Sequence, residues 1–178
     1  TFTFEALSVC TPCPCDVIAE GLRIVCTDMG GFLVFYAEDL SSVSKMVKFD
    51  WGVATFTAAS LARDGKGLVV SGYCSPEKLA AVAGTVRSHT QVDPPPEPGK
   101  KKRRLPEKGP APAYVMRLSL AGLLGGGTDV VDWCWTLQNY SGAPDVMWQD
   151  MAGNVYFALN GLTWIDADGA KLTKITEK

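Results

Sequence analysis

The stretch from Phe49 to Tyr73 constrains the fold most, because it joins two strand-like runs through a tight turn signal. The first run is rich in Val, Thr and aromatic residues, and its alternate positions from Phe49 to Leu61 share one face at the strand period of two. The second run, Leu68 to Val70, is apolar on both faces. Between them, the glycines in Arg63 to Gly67 supply the positive-φ positions of a hairpin turn. We therefore expect an antiparallel hairpin around which the rest of the chain packs.

Strand patterns recur on both sides of this hairpin, and the last four predicted strands are separated by glycine turns. The predicted strands are Thr1 to Val9, Leu22 to Thr27, Phe32 to Ala37, Ala113 to Leu120, Val131 to Leu137, Val146 to Gln149, Asn154 to Leu159, Leu162 to Asp166 and Lys171 to Thr176. The segment Ser75 to Ala83 predicts a short helix, since Ser75 can cap it and Pro76 suits its first position. Residues 85–89 are expected to continue that helix and residues 39–48 to form a polar connection, while the Cys/Pro stretch after Val9 is expected to break the first strand.

These patterns predict a mainly β fold, an antiparallel β-sandwich of the jelly-roll type with one short helix. We expect a single domain over residues 1–178, with a Pro-rich basic excursion at residues 93–112. The alternative is a set of β-propeller-type blades, because Val146 to Ile175 alternates strands with glycine turns, and Ile24 to Phe49 and Phe56 to Tyr73 echo it. Three blades cannot close a ring, so this alternative requires a longer polypeptide or an oligomer.

The charge balance limits the partners of the chain. Lys and Arg total 17 against 19 Asp and Glu, and the net charge of −2 provides no general attraction to nucleic acid or to an anionic membrane. No apolar run is long enough to span a bilayer, and the N-terminal residues lack the pattern of a signal peptide. The sequence therefore predicts a soluble intracellular protein with no membrane partner.

A cluster of cysteines is the main candidate for metal chemistry. Cys10, Cys13, Cys15 and Cys26 provide enough thiolates for a tetrahedral zinc site. Zinc knuckles usually present two separated pairs, whereas prolines hold the neighbouring thiols here in an extended backbone. Buried thiols, disulfides and a zinc site therefore stay open, with zinc as the only cofactor that the residues suggest.

A basic run is the strongest local signal for nucleic acid. Lys100, Lys101, Lys102, Arg103 and Arg104 could neutralise RNA phosphates in a salt-sensitive way, or form a solvated linker held open by self-repulsion. No aromatic residue lies among these cations, so stacking on single-stranded bases is not indicated. A zinc-stabilised nucleic-acid-binding module that combines the run with the cysteines is a further alternative.

No catalytic constellation emerges from the sequence. The single histidine, His89, lies beside the proline-rich stretch, and packing or solvation explains it better than catalysis. The tryptophans are expected at inward strand positions, with core packing first and a subunit interface second. They are Trp51, Trp133, Trp135, Trp148 and Trp164.

The order of features from Lys45 to Pro98 resembles the jelly-roll coat proteins of small icosahedral RNA viruses, particularly the picornavirus-like and nodavirus-like groups. The matching residues are Phe49-Asp50-Trp51-Gly52-Val53, Gly65-Lys66-Gly67, Leu68 to Tyr73, and Ser75-Pro76-Glu77 with Leu79 to Ala83. The resemblance implies a structural, non-catalytic subunit of a virion, found there or in host cytoplasm, that contacts copies of itself or sister subunits. The competing hypothesis is a fragment of a β-propeller binding or scaffold protein.

Overall fold

A computed structural model of the chain shows a mainly β protein, as the strand patterns predict. The structure describes residues 12–19, 22–27, 32–37, 39, 41–48, 55–73, 86–90, 113–125, 130–138, 142–159 and 161–175, with side chains described from residue 37 onward except at 46–48 and 55. The predicted strand Thr1 to Val9, the predicted helix Ser75 to Ala83 and the excursion at 93–112 lie outside these residues. Whether the chain forms a single domain stays a prediction.

The described elements are thirteen short strands and one short helix. The strands are β1 (Pro12–Ala19), β2 (Leu22–Thr27), β3 (Phe32–Ala37), β4 (Val43–Lys48), β5 (Thr55–Leu61), β6 (Gly67–Tyr73), β7 (Val86–Thr90), β8 (Ala113–Ser119), β9 (Val131–Gln138), β10 (Met147–Gln149), β11 (Val155–Ala158), β12 (Leu162–Ile165) and β13 (Leu172–Ile175). The helix α1 is Leu120–Gly125.

The strands form three sheets, which we name the first, central and third sheets. The first sheet has the order β1-β2-β3-β4 and the third the order β10-β11-β12-β13, so both are antiparallel meanders in chain order. The central sheet has the order β5-β6-β8-β9-β7, in which β7 pairs parallel with β9 and the other pairs are antiparallel. Short turns suffice for the meanders, whereas the parallel strand requires a longer connection.

The predicted central hairpin is confirmed as β5 and β6. Gly65 has a φ of 70°, and its N–H donates to the Ala62 carbonyl over 2.8 Å, as a tight turn requires. A bulge between Phe56 and Ala58 shifts the register, so Phe56 and Ala58 are buried. The bulge interrupts the alternate row predicted from Phe49 to Leu61, and Leu61 is only half-buried.

The core lies on both sides of the central sheet. On one side, Val69 and Val115 pack with Phe157 and Ile165 of the third sheet, and each is at most 1% exposed. On the other side, Leu68, Val70, Tyr114, Met116 and the reduced thiol of Cys134 are also excluded from solvent. Burial of each large apolar side chain contributes about 1.5–3 kcal/mol, so the central sheet supplies much of the stability of the fold.

The first sheet meets the central sheet at its edge strand β5. Its strand β1 runs alongside β5. The Lys45 ammonium of β4 donates to the carbonyls of Leu123 and Leu124 over 2.5 and 2.9 Å, at the C-terminal end of α1. A cation is favourable there because the last helical carbonyls lack partners within the helix. This contact ties β4 to α1, the helix that follows β8.

Polar contacts hold the third sheet to the face of the central sheet that carries Val69 and Val115. The Gln149 amide donates to Ser60 Oγ and the Leu61 carbonyl over 3.0 and 2.8 Å, and its oxygen accepts from the Arg63 N–H over 2.9 Å. At the far end of the sheet, the Gly169 carbonyl accepts from Trp135 Nε1 over 2.9 Å and from the Arg87 guanidinium. These bonds fix how the third sheet sits on the hairpin and on β9.

Several predictions about individual segments are wrong. The residues from Pro12 onward form β1, which was not predicted; its prolines fall on an edge strand where the ladder is irregular between Pro12 and Asp16. Whether the Cys/Pro stretch ends a strand from Thr1 to Val9 stays a prediction, because residues 1–11 lie outside the described ones. Residues 39–48 form a turn followed by β4, another edge strand. Residues 86–90 form β7 instead of continuing a helix, since pairing with β9 satisfies their backbone.

The helix α1 was not predicted, and it begins at Leu120, which the alternation assigned to a strand. The Ser119 hydroxyl accepts from the Gly122 N–H over 3.2 Å, which is an N-cap contact.

Other predicted strands are confirmed. The second predicted hairpin has the bounds of β2 and β3, and the four C-terminal strands are confirmed to within a residue or two at each end.

Candidate functional site

The outward face of the third sheet is the most unusual surface of the described chain. Because strand residues alternate between faces, the inward row Val155, Phe157 and Ile165 defines an outward row that faces away from the core. This outward set, which we call the aromatic face, comprises Val146, Trp148, Tyr156, Ala158, Leu162, Trp164, Thr173 and Ile175. None of these residues carries a charge.

The three aromatic side chains form a ladder across neighbouring strands. Trp148 pairs with Tyr156 and Tyr156 with Trp164 in the strand register, which places the three rings in one row. Their planes are nearly parallel, at 13° and 23°, with centroids 6.0 and 6.1 Å apart. Such cross-strand pairs support one another, so the rings form a single rigid ridge.

The aromatic face is open to solvent to an unusual degree. Val146 is 68% exposed, Trp148 45% and Ile175 43%. Contiguous exposed apolar patches of this kind mark surfaces that bind another molecule. In the same row as the ladder, the Thr173 hydroxyl is buried without a hydrogen-bond partner among the described residues. This hydroxyl is covered by its neighbours and is not part of the accessible surface of the face.

A network at the β10–β11 turn positions Tyr156, the middle ring of the ladder. Asp150 accepts from the N–H groups of Ala152 and Asn154 and from the Asn154 amide, and its Oδ2 also accepts from the Tyr156 hydroxyl over 3.0 Å. These hydrogen bonds, led by that from Asn154, lower the pKa of Asp150. The same carboxylate raises the pKa of Tyr156 by holding its proton, so the ring keeps a fixed orientation.

A second candidate site is the cleft beside the hairpin turn, with a volume of about 320 Å³. Arg117 spans it, with its guanidinium 2.7 Å from Asp64 and 2.9 Å from Asp132. The Arg117 hydrogen bond is the main reason why the pKa of Asp64 lies below its usual value. Burial opposes the charge on Arg117, but its bonds to Asp64 and Asp132 outweigh burial and raise its pKa.

This cleft is better suited to holding the fold together than to binding an ion. Two carboxylates already occupy the guanidinium of Arg117, which leaves Lys66 and Ser119 as the other polar residues of the lining. The network joins the hairpin turn to β8 and β9, and the Lys66 carbonyl accepts from the Leu120 N–H over 3.0 Å. We assign the cleft a structural role.

The predicted metal and nucleic-acid sites are not tested by the described residues. Cys13 and Cys15 lie on β1 and Cys26 on β2, where the backbone alone is described, and Cys10 lies outside the described residues. The basic run from Lys100 to Arg104 also lies outside them. Among the side chains that the structure describes, no group of His, Cys, Asp and Glu is arranged to hold a metal ion. Both sites stay predictions.

The prediction for the tryptophans is correct in part. Trp133 is buried in the core and Trp135 packs against it, whereas Trp51 lies outside the described residues. Trp148 and Trp164 lie on the outward face, which corrects their assignment to inward positions. Sequence alternation could not place them, because the third sheet has apolar residues on both faces and Tyr156 was not singled out.

His89 lies on the edge strand β7. Partial burial, with a smaller effect from the nearby Lys174 ammonium, lowers its pKa and favours the neutral imidazole. This environment agrees with a packing role.

No protein-family model matches the chain, and a comparison with curated proteins found no match. No helix in the described part of the chain is long and apolar enough to cross a bilayer.

Proposed function

We propose that the chain is a structural binding module, built from stacked β-propeller-type sheets, that holds a protein partner on its aromatic face. The observation that carries this proposal is the uncharged ridge of Trp148, Tyr156 and Trp164, in which Trp148 is exposed and the other two rings are half-buried. Aromatic residues are enriched at the centres of protein interfaces and charged residues are depleted there. A scaffold role follows from the rigid, core-backed sheet that presents the ridge.

The strand order of the first and third sheets supports the blade-type architecture over the jelly roll, whereas the five-stranded central sheet with its parallel β7–β9 pair departs from a blade. Propeller blades are four-stranded sheets with neighbouring strands connected in sequence, whereas a jelly roll consists of two Greek keys. The first and third sheets have the sequential order, and the sheets follow one another along the chain. The central sheet is covered on both faces, as an inner blade would be.

The coat-subunit hypothesis stays a prediction. An exposed apolar face suits a shell subunit as well as a scaffold, and the two hypotheses share the expectation of protein partners. The zinc-stabilised nucleic-acid module also stays a prediction, because it depends on the cysteines and on Lys100 to Arg104.

The proposed binding face can be tested by photo-crosslinking. A benzophenone amino acid at position 148 lies on the aromatic face, and the same residue at position 151 lies on an exposed turn beside it, because Met151 is 82% exposed. We expect discrete protein adducts from position 148 and diffuse, weak labelling from position 151. Equal labelling from both positions would contradict a specific binding face.

A further inference from the structure

A polar rim flanks the aromatic ladder on one side. Asp150 follows Trp148 by two residues, and strand alternation places its carboxylate on the outward side. The bond that it accepts from the Tyr156 hydroxyl agrees with this direction. Asp166 follows Trp164 in the same way. The rim comprises Asp150, Asn154, Asp166 and Lys171, which continue the strand pairing into the two turns.

Two hydrogen-bond donors of the aromatic face are open to a ligand. An indole N–H can donate but not accept. In the core, Trp133 and Trp135 donate theirs to backbone carbonyls, whereas those of Trp148 and Trp164 have no acceptor among the residues that the structure describes. A ligand that brings carbonyl oxygens to the face satisfies both groups.

A proline-rich segment in the polyproline II conformation fits these features. Such a segment has no internal hydrogen bonds, and its prolines present carbonyl oxygens without N–H groups. An α-helix already bonds its own carbonyls, and an added strand presents N–H groups that need acceptors. Successive rings of the ladder lie 6.0 and 6.1 Å apart, so at a rise of about 3.1 Å per residue the three rings span about five residues.

We infer that the aromatic face binds a proline-rich segment of a partner protein, with Arg or Lys residues next to the prolines. The prolines lie on the ladder, where the indole N–H groups of Trp148 and Trp164 donate to their carbonyls. The cations lie at the rim, where two carboxylates face the one ammonium of Lys171. This inference names the partner chemistry of the proposed binding face and rests on that proposal.

Fluorescence anisotropy of a labelled synthetic peptide tests the contact with the full chain. The peptide has a block of prolines followed by a block of arginines, and its control has alanine in place of every proline. The chain's own prolines at positions 94, 95, 96 and 98 lie outside the described residues, and a variant with serine at all four removes them as a competitor. Near-ultraviolet circular dichroism checks that each variant keeps its folded core.

We expect saturable binding of the proline peptide and much weaker binding of the alanine peptide. Trp148→Ala should weaken binding roughly 30-fold. Trp148→Phe, which keeps a ring but lacks the N–H, should weaken it roughly 5-fold. Met151→Ala is the control and should bind as the wild type does, since Met151 is 82% exposed on the neighbouring turn. Asp166→Asn should weaken binding roughly 3-fold at low salt and not at high salt, because salt screens surface charges.

The inference is overturned if neither the wild type nor the serine variant binds the peptide, if both peptides bind equally, or if Trp148→Phe binds as tightly as the wild type. Binding by the serine variant alone also overturns a separate partner, because the chain's own prolines then fill the face. Discrete adducts from position 148 without peptide binding refute only the proline-rich partner. Equal labelling from positions 148 and 151 instead contradicts the binding face itself.

Discussion

At position 169, both the backbone conformation and the packing against Trp133 require glycine. Its φ of 68° lies in the left-handed region, and a Cβ atom there would come within 2.2 Å of Trp133 Cγ. Its carbonyl also accepts from Trp135 Nε1. The β12–β13 turn therefore fits against β9 only with glycine at this position.

Replacing Gly169 with alanine should lower the free energy of unfolding by about 3 kcal/mol, through backbone strain and overpacking against Trp133. Gly65→Ala is the matched control, because Gly65 has a φ of 70° but no atom within 4 Å of the added Cβ. It should cost only about 1 kcal/mol. Urea unfolding measures both, and equal losses would show that packing against Trp133 contributes nothing.

The Asp64–Arg117 pair makes stability depend on pH in a defined direction. The guanidinium lowers the pKa of Asp64 in the folded state below its unfolded value. A depressed carboxyl pKa adds stability above the unfolded pKa of about 3.9, and this stability is lost as the pH falls through the folded pKa. Solvent screening limits the contribution, since Asp64 is 46% exposed.

Asp64→Asn should therefore destabilise the protein by about 0.5 kcal/mol at pH 7, and the difference from wild type should shrink as the pH falls below 4. Urea unfolding at pH 7, 5 and 3 measures the difference. Asp145→Asn, at an exposed aspartate with no ion pair among the described residues, should show no such trend. A difference that persists at pH 3 would argue against the ion pair as its source.

At the scale of elements, turn chemistry made the hairpins predictable. Gly65, Gly153, Gly161 and Gly169 all have positive φ, and each lies in a turn that its glycine indicates in the sequence. The strands that the sequence did not predict are β1, β4 and β7, which lie at sheet edges and carry prolines or polar residues. Their conformation depends on the ladder beside them and not on their own pattern.

The helix α1 depends on a contact from another sheet. Lys45→Met should destabilise the protein by about 1 kcal/mol and speed amide exchange in α1, because two helix carbonyls lose a charged donor. Lys171→Met removes an exposed ammonium elsewhere and is the control. Hydrogen exchange followed by mass spectrometry measures the effect. Unchanged exchange in α1 would mean that Lys45 does not stabilise the helix end.

At the scale of the whole molecule, the mainly β character followed from periodicity, whereas the stacking of the sheets did not. Alternation assigns residues to two faces but does not say which face meets a core when both are apolar. Trp148 and Trp164 were assigned to the wrong face for this reason. Thr173, which pairs with Trp164, has no sequence pattern that indicates its place on the outward face. The aromatic face became visible only after the register of β10 to β13 was known.

The layered arrangement predicts a gradient of protection from hydrogen exchange. The amides of β6 and β8 should exchange most slowly, since both strands pair on two sides and are buried on both faces. The amides of β13 should exchange much faster, because this strand lies at a sheet edge and is partly exposed. Native-state exchange resolved by peptide measures both. Equal protection in β8 and β13 would contradict a central sheet that is buried on both faces.

Cys134 lies at the centre of the enclosed sheet, with its reduced thiol fully buried. A thiol-blocking reagent can reach it only when the layers separate, so its rate of modification reports how often the molecule opens. Peptide-resolved mass spectrometry distinguishes this slow reaction from those of the other cysteines. The modification rate of Cys134 therefore measures how often the core opens, and a partner that bridges the sheets should lower this rate.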